Sequence, residues 1–155
     1  MRMSGDTYLV TGAMGCLGAW VIRLLLEDGC EVVAFDISED DRRHQLIIGS
    51  EDRRQIRYVK GDLTDSDQVM SAAEGVSRII HLGALQVPFC RADRPMGAAV
   101  NVVGTVNVFE AALRHSIEHL VYASSVAVFG NAEDYEVSTI EPGERRLPTT
   151  LYGIW

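Results

Sequence analysis

The chain has 155 residues, of which 47% are hydrophobic and 23% charged, with a formal net charge of -8. This is the length and mix of one globular domain that buries a real core. The acidic balance excludes a nucleic-acid groove, which needs clustered Lys and Arg, and electrostatic docking on an anionic membrane.

Cys16, Cys30 and Cys90 are odd in number and lack CxxC spacing, so neither a disulfide framework nor a zinc site is expected. The start, "MRMSGDTYLV", has no apolar core of a signal peptide. No run of residues approaches the roughly 18 apolar positions of a membrane span. A cytoplasmic, reducing setting is expected.

"TYLVTG" is a short apolar run stopped by Gly12, and reads as a buried strand. "LGAWVIRLLLEDG" follows as a helix, with Leu17, Val21, Leu24 and Leu25 as its apolar stripe and Gly29 as its stop. "EVVAFD" is a second strand ending in Asp36. A short helix is predicted over 42–48, then a third strand in "IRYVKGDL". "DSDQVMSAAEG" reads as a helix with Asp65 as N-cap, Gln68 in the capping-box position and Gly75 as stop. "SRIIHLGA" is a fourth strand. A loop over 86–95 carries Pro88 and Pro95, and leads to a long helix over 95–114. "HLVYASS" is a fifth strand, and residues 130–148 are acidic and turn-rich.

Short apolar strands alternating with helices imply an α/β fold with a parallel sheet covered on both faces. Right-handed crossovers favour a Rossmann-like, doubly wound sheet of order 3-2-1-4-5. In "TGAMGCLG", Gly12, Gly15 and Gly18 lie between the first strand and the first helix. Gly12 permits the turn, Gly15 lets backbone approach a pyrophosphate, and Gly18 lets the helix pack closely. The helix N-terminus, with Cys16 and Leu17 beside it as cofactor-side candidates, offers free N–H groups to phosphate. Asp36 stands where a carboxylate can accept from both adenosine ribose hydroxyls, which favours NAD over NADP. Arg42 and Arg43 follow closely and could instead pair with a 2′-phosphate.

These residues resemble the extended short-chain dehydrogenase/reductase family of NAD-dependent epimerases and dehydratases. "TGAMGCLG" is similar to its TGxxGxxG, and "HLGA" (81–84) to its HxAA. "NVVGT" (101–105) is similar to NxxGT, "YASSVAVFG" (122–130) to YxSSxxVYG with Phe129 replacing a tyrosine, and "LYGIW" to the start of YGxxK. "GDLTD" resembles the adenine-contacting step. The resemblance implies that Asp62 and Leu63 contact adenine, and that Leu82, Gly83, Ala84 and Asn101 lie along the dinucleotide; by residue type alone Asn101 is either a local backbone hydrogen-bonder or a cofactor-side contact. It implies that Ser125 holds the substrate oxygen and that Tyr152 is the general acid/base. It further implies a sugar, nucleotide-sugar or similar small-molecule substrate, and a homodimeric parent protein.

A phenol titrates near 10, so a tyrosine base needs a neighbouring cation, and a lysine at i+4 would lie on the same helical face. That position falls one residue past Trp155, and Lys60 is the only lysine in the chain. Residues 1–155 are therefore expected to be an incomplete NAD(P)-binding domain, without the substrate region and inactive alone. A dinucleotide-binding sensor without chemistry is the alternative, but a sensor needs neither Ser125 nor Tyr152. His115 and His119 are set aside as a metal pair for want of further ligands. His81 is read as an orienting or packing residue. The 86–95 segment is either a solvated loop or a substrate contact through Arg91 or Arg94.

Overall fold

A computed structural model describes residues 5–155. Five parallel strands form one sheet: β1 (Thr7–Thr11), β2 (Glu31–Asp36), β3 (Ile56–Lys60), β4 (Arg78–His81) and β5 (His119–Tyr122). Their order is β3-β2-β1-β4-β5, as the alternation of elements predicts. Register pairs Leu9 with Val33 and Ile79, and Val10 with Ala34 and Ile80. Successive residues of a strand face opposite sides, so the sheet buries two cores. Leu9, Val33, Phe35 and Ile79 pack with Val69 and Val108 on one side, while Val10, Val32 and Ala34 pack with Ile22 and Ile48 on the other. Burial on both faces is why the strands read as continuous apolar runs.

Seven α-helical segments connect the strands, namely α1 (Cys16–Glu27), α2 (Arg42–Ile47), α3 (Ser50–Arg53), α4 (Ser66–Ala72), α5 (Val87–Ala92), α6 (Arg94–Ala98) and α7 (Gly104–Arg114), and α8 (Leu151–Ile154) follows β5. A π-helical turn, Ala99–Val103, joins α6 to α7 in one helix from Arg94 to Arg114. With 21 residues, that helix is long and apolar enough to cross a membrane. This corrects the expectation that no such stretch exists. Here it packs on the sheet through Val108, Ala111 and Ala112, with Asn101 and Thr105 also buried.

Three further expectations are corrected. In α1, Leu17 and Leu24 are exposed, and the buried face is Gly18, Ala19 and Ile22. A Cβ at Gly18 would lie 2.3 Å from the Gly12 carbonyl, so the helix sits too close to the loop for large side chains at its start. The 86–95 segment is α5 and the start of α6, not a loop. Pro88 and Pro95 occupy first-turn positions of these helices, where a missing N–H costs nothing. The α4 N-terminus is capped by Asp65, which accepts from the N–H groups of Asp67 and Gln68. Gln68, however, accepts from the Asp62 N–H at 2.9 Å instead of closing a capping box. The link ties α4 to the turn after β3.

Candidate functional site

The carboxyl ends of β1, β2 and β4 open onto a cavity of about 600 Å³, lined by Gly12, Met14, Gly15, Cys16, Leu17, Gly18, Asp36, Arg43, Leu82, Gly83 and Ala84 among others. Gly12 adopts φ +68°, and a Cβ there would sit 2.7 Å from the Gly83 nitrogen. Only glycine lets the two strand exits approach so closely. Gly15 is the N-cap of α1 and no side chain caps that terminus. The first-turn N–H groups therefore lack protein partners and present positive charge to the cavity.

Asp36 faces the same space. Its Oδ2 accepts from the Met14 N–H and its Oδ1 from the Ser38 N–H, both at 2.9 Å. Each oxygen keeps a lone pair for a further donor. Of the two arginines that follow, Arg42 is drawn away by a forked pair with Asp40. That bond holds the Asp40 carboxyl down to about 2. Arg43 stays at the cavity, donating to the Met14 carbonyl at 3.1 Å.

A second, apolar cavity of about 350 Å³ adjoins Asp36 and is lined by Ile37, Asp62, Leu63, Met96 and Val100. Asp62 accepts from the Thr64 N–H at 2.9 Å, which fixes its carboxylate at the rim. A third cavity, of about 460 Å³, contains Asn101, Thr105, Tyr122, Ser125, Arg146, Tyr152 and Trp155. Ala84 lines all three. Every residue assigned from the sequence to the glycine loop, the ribose and adenine corner, the dinucleotide backbone or the Ser125–Tyr152 pair lines at least one of them, whereas Arg42, Arg91 and Arg94 line none.

Local packing sets the third cavity. Ser125 caps the 3-10 turn Val126–Val128, its Oγ accepting from the Ala127 N–H at 3.2 Å. Tyr152 lies in α8, whose N-cap Thr150 accepts from the Gly153 N–H. A Cβ on Gly153 would fall 2.3 Å from the Ala127 carbonyl. Glycine at 153 thus lets the tyrosine helix rest on the serine turn. Lys60 is bound to Glu39 at 2.6 Å, on β3 at the opposite edge of the sheet from β5.

Two buried polar groups frame the strand exits. His81 is fully buried between Thr11 and Thr105. Thr105 Oγ1 donates to the Asn101 carbonyl at 2.8 Å, so it accepts from His81 Nε2 at 3.1 Å. Thr11 Oγ1 takes the N–H groups of Leu82 and Gly83 and gives its own proton to His81 Nδ1, at 2.6 Å. The ring is therefore neutral, and burial pushes its pKa down to about 4. Asn101 spends both ends of its amide on Leu85, accepting from its N–H at 2.8 Å and donating to its carbonyl at 3.0 Å. It shapes the cleft by holding the backbone after β4. Replacing it with Ala is expected to cost about 2 kcal/mol, because two backbone groups lose partners, read as a lower urea midpoint at unchanged slope.

The residues present fit a dinucleotide: an uncapped helix end and glycine cradle for phosphates, a carboxylate for paired hydroxyls, and an apolar slot for a base. Among the described residues, no cluster of three His, Cys, Asp or Glu could hold a metal. Sequence reasoning missed Met14, His44, Arg146 and Trp155. Only Met14 carried a signal, its place inside the glycine loop.

The model of the 3-beta hydroxysteroid dehydrogenase/isomerase family matches residues 9–148. The chain is 35% identical over 126 residues to 3 beta-hydroxysteroid dehydrogenase type 7 of Mus musculus, covering 79% of this chain and 33% of that protein. It is 36% identical over 137 residues to UDP-glucose 4-epimerase of Mycolicibacterium smegmatis, covering 86% of this chain and 44% of that one. A short-chain dehydrogenase/reductase superfamily protein from Agrobacterium tumefaciens, solved with bound NAD, superposes with a TM-score of 0.79 at 30% identity, over 96% of this chain and 41% of that chain. The chain spans between a third and a half of the length of these relatives. It belongs to the 3-beta hydroxysteroid dehydrogenase/isomerase family, and with it to the extended short-chain dehydrogenase/reductase group that its motifs resemble.

Proposed function

We propose that this chain is the NAD-binding part of an oxidoreductase or epimerase acting on a ring-borne secondary alcohol or ketone, as in a sugar, nucleotide-sugar or sterol. The observation that carries this reading is the joining of three cavities at Ala84, which sets the Ser125–Tyr152 cavity beside the dinucleotide cleft. When bound, NAD would supply the hydride chemistry at the substrate's carbinol carbon. The protein's own residues do the rest. The N-terminus of α1 and the glycine loop bind phosphate. Asp36 accepts from the adenosine ribose hydroxyls, and the slot beside Leu63 excludes water from the base. Ser125 donates to the substrate oxygen, and Tyr152 passes a proton to or from it.

The carboxylate of Asp36 repels a 2′-phosphate, so NAD⁺ is preferred. Asp36→Asn removes the repulsion and leaves Arg43 at that corner. The variant is expected to lose roughly tenfold or more in NAD⁺ affinity, as for a hydrogen bond to a charged group, and to gain relative preference for NADP⁺. Calorimetric titration of both cofactors tests this. An unchanged preference would remove Asp36 from the ribose.

Turnover by the 155-residue chain is expected to be negligible. Tyr152 has no lysine partner here, since Lys60 is held by Glu39. The test is NADH absorbance with secondary alcohols; measurable reduction of NAD⁺ would contradict the role given to the tyrosine–cation pair.

A further inference from the structure

We infer that His44 is a positioning residue for dinucleotide binding, acting through the carbonyl of Ala13; this rests on the cofactor reading above. His44 is fully buried on α2. Its Nε2 lies 2.9 Å from the Ala13 carbonyl oxygen. A carbonyl only accepts, so Nε2 carries the proton. Nδ1 lies 2.9 Å from the Tyr58 hydroxyl and accepts its proton. Burial, helped by the charge of Asp41, raises the Tyr58 pKa, which keeps the phenol a donor. One side chain from α2 thus links β3 to the glycine loop.

Its neighbour repeats the contact. Arg43 donates to the carbonyl of Met14, so adjacent residues of α2 hold the carbonyls of adjacent residues of the loop. The amide side is held as well: Met14 N–H by Asp36, and Gly15 N–H by the Gly12 carbonyl. Gly12, Met14 and Gly15 line the dinucleotide cavity, but Ala13 does not. Its carbonyl is turned away from the cavity and into His44. That orientation matters for an anion. A carbonyl oxygen free to swing toward the N-terminus of α1 would set negative charge against the pyrophosphate, where the open N–H groups of the helix would otherwise stand alone. His44 is buried and lines none of the three cavities, so its effect is on the loop.

The test uses the geometry of the donor. Gln places an amide N–H where histidine has Nε2, whereas Asn places it where histidine has Nδ1, toward Tyr58. His44→Gln is expected to bind NAD⁺ within about threefold of wild type, and His44→Asn about tenfold more weakly, the worth of one hydrogen bond. Thermal melting of both variants shows whether they are folded at the titration temperature. A long-range ¹H–¹⁵N spectrum of wild type should show His44 protonated at Nε2. Equal affinity in folded Gln and Asn variants, or an Nδ1-protonated ring, would overturn the role of His44 alone. No NAD⁺ binding by the folded wild-type chain would overturn the cofactor reading and this inference with it.

Discussion

Gly15→Ala should leave the chain folded and remove most of its dinucleotide binding. An added Cβ at this position meets only the Gly12 carbonyl, at 3.0 Å, with no other atom outside its neighbours within 4 Å. The loop can give by the small distance that contact needs. Because Gly15 lines the cavity in front of α1, the methyl occupies the space a pyrophosphate would enter. Affinity for NAD⁺ is expected to fall at least tenfold, about 1.4 kcal/mol, with little change in the urea midpoint. Gly12→Ala should behave oppositely. Its Cβ would overlap the Gly83 backbone at 2.7 Å, and its φ of +68° disfavours any side chain. The left-handed backbone alone costs roughly 1–2 kcal/mol, and the overlap forces β1 and β4 apart at their exits. Stability should fall with binding. Calorimetry and urea unfolding on the two variants separate a cofactor-facing glycine from a packing one. If Gly15→Ala bound NAD⁺ as wild type does, the glycine loop would be a structural turn only.

The second large effect is on pH. His81 titrates near 4 in the folded chain but near 6.5 when unfolded. As pH falls below 6.5 the unfolded chain takes up a proton that the folded one refuses, so stability drops. The loss continues to about pH 4 and then levels, because the folded ring protonates too. The full change amounts to about 3 kcal/mol at most, at 1.36 kcal/mol per pKa unit. Hydrogen bonding explains why the folded state resists. Thr11 Oγ1 already accepts from two backbone N–H groups, so a proton on His81 Nδ1 would turn Thr11's own donor away. The wild-type stability difference from His81→Gln should shrink through this window, measured by urea unfolding at each pH. The His81 ring shifts in NMR should stay flat from pH 8 to 5. A ring titrating near 6.5 in the folded chain would contradict the assigned network.

Much of the fold was legible because its signals are local. Strands buried on both faces appear as unbroken apolar runs, as in "YLV" and "EVVAF". Glycine spacing marked the loop between β1 and α1, and the spacing of Asp36 from it marked the corner beside Arg43. What failed depended on distance across the chain. Leu17 and Leu24 looked like a core stripe until the close approach of α1 to the Gly12 carbonyl put small residues there instead. Proline at 88 and 95 looked like a loop because its first-turn role shows only once the helix is known. Asn101 read either as a backbone hydrogen-bonder or as a cofactor contact, and that its amide meets the backbone of Leu85, 16 residues earlier, shows only in the fold. Nothing local in "RRHQ" says that His44 is fully buried against a carbonyl 31 residues away.

The most direct test is calorimetric titration of NAD⁺ and NADP⁺ into the 155-residue chain, with circular dichroism on the same sample. The expected result is saturable binding of one NAD⁺ per chain, tighter than NADP⁺, to a folded protein. A folded chain that binds neither cofactor would contradict the assignment of the cleft at the ends of β1, β2 and β4.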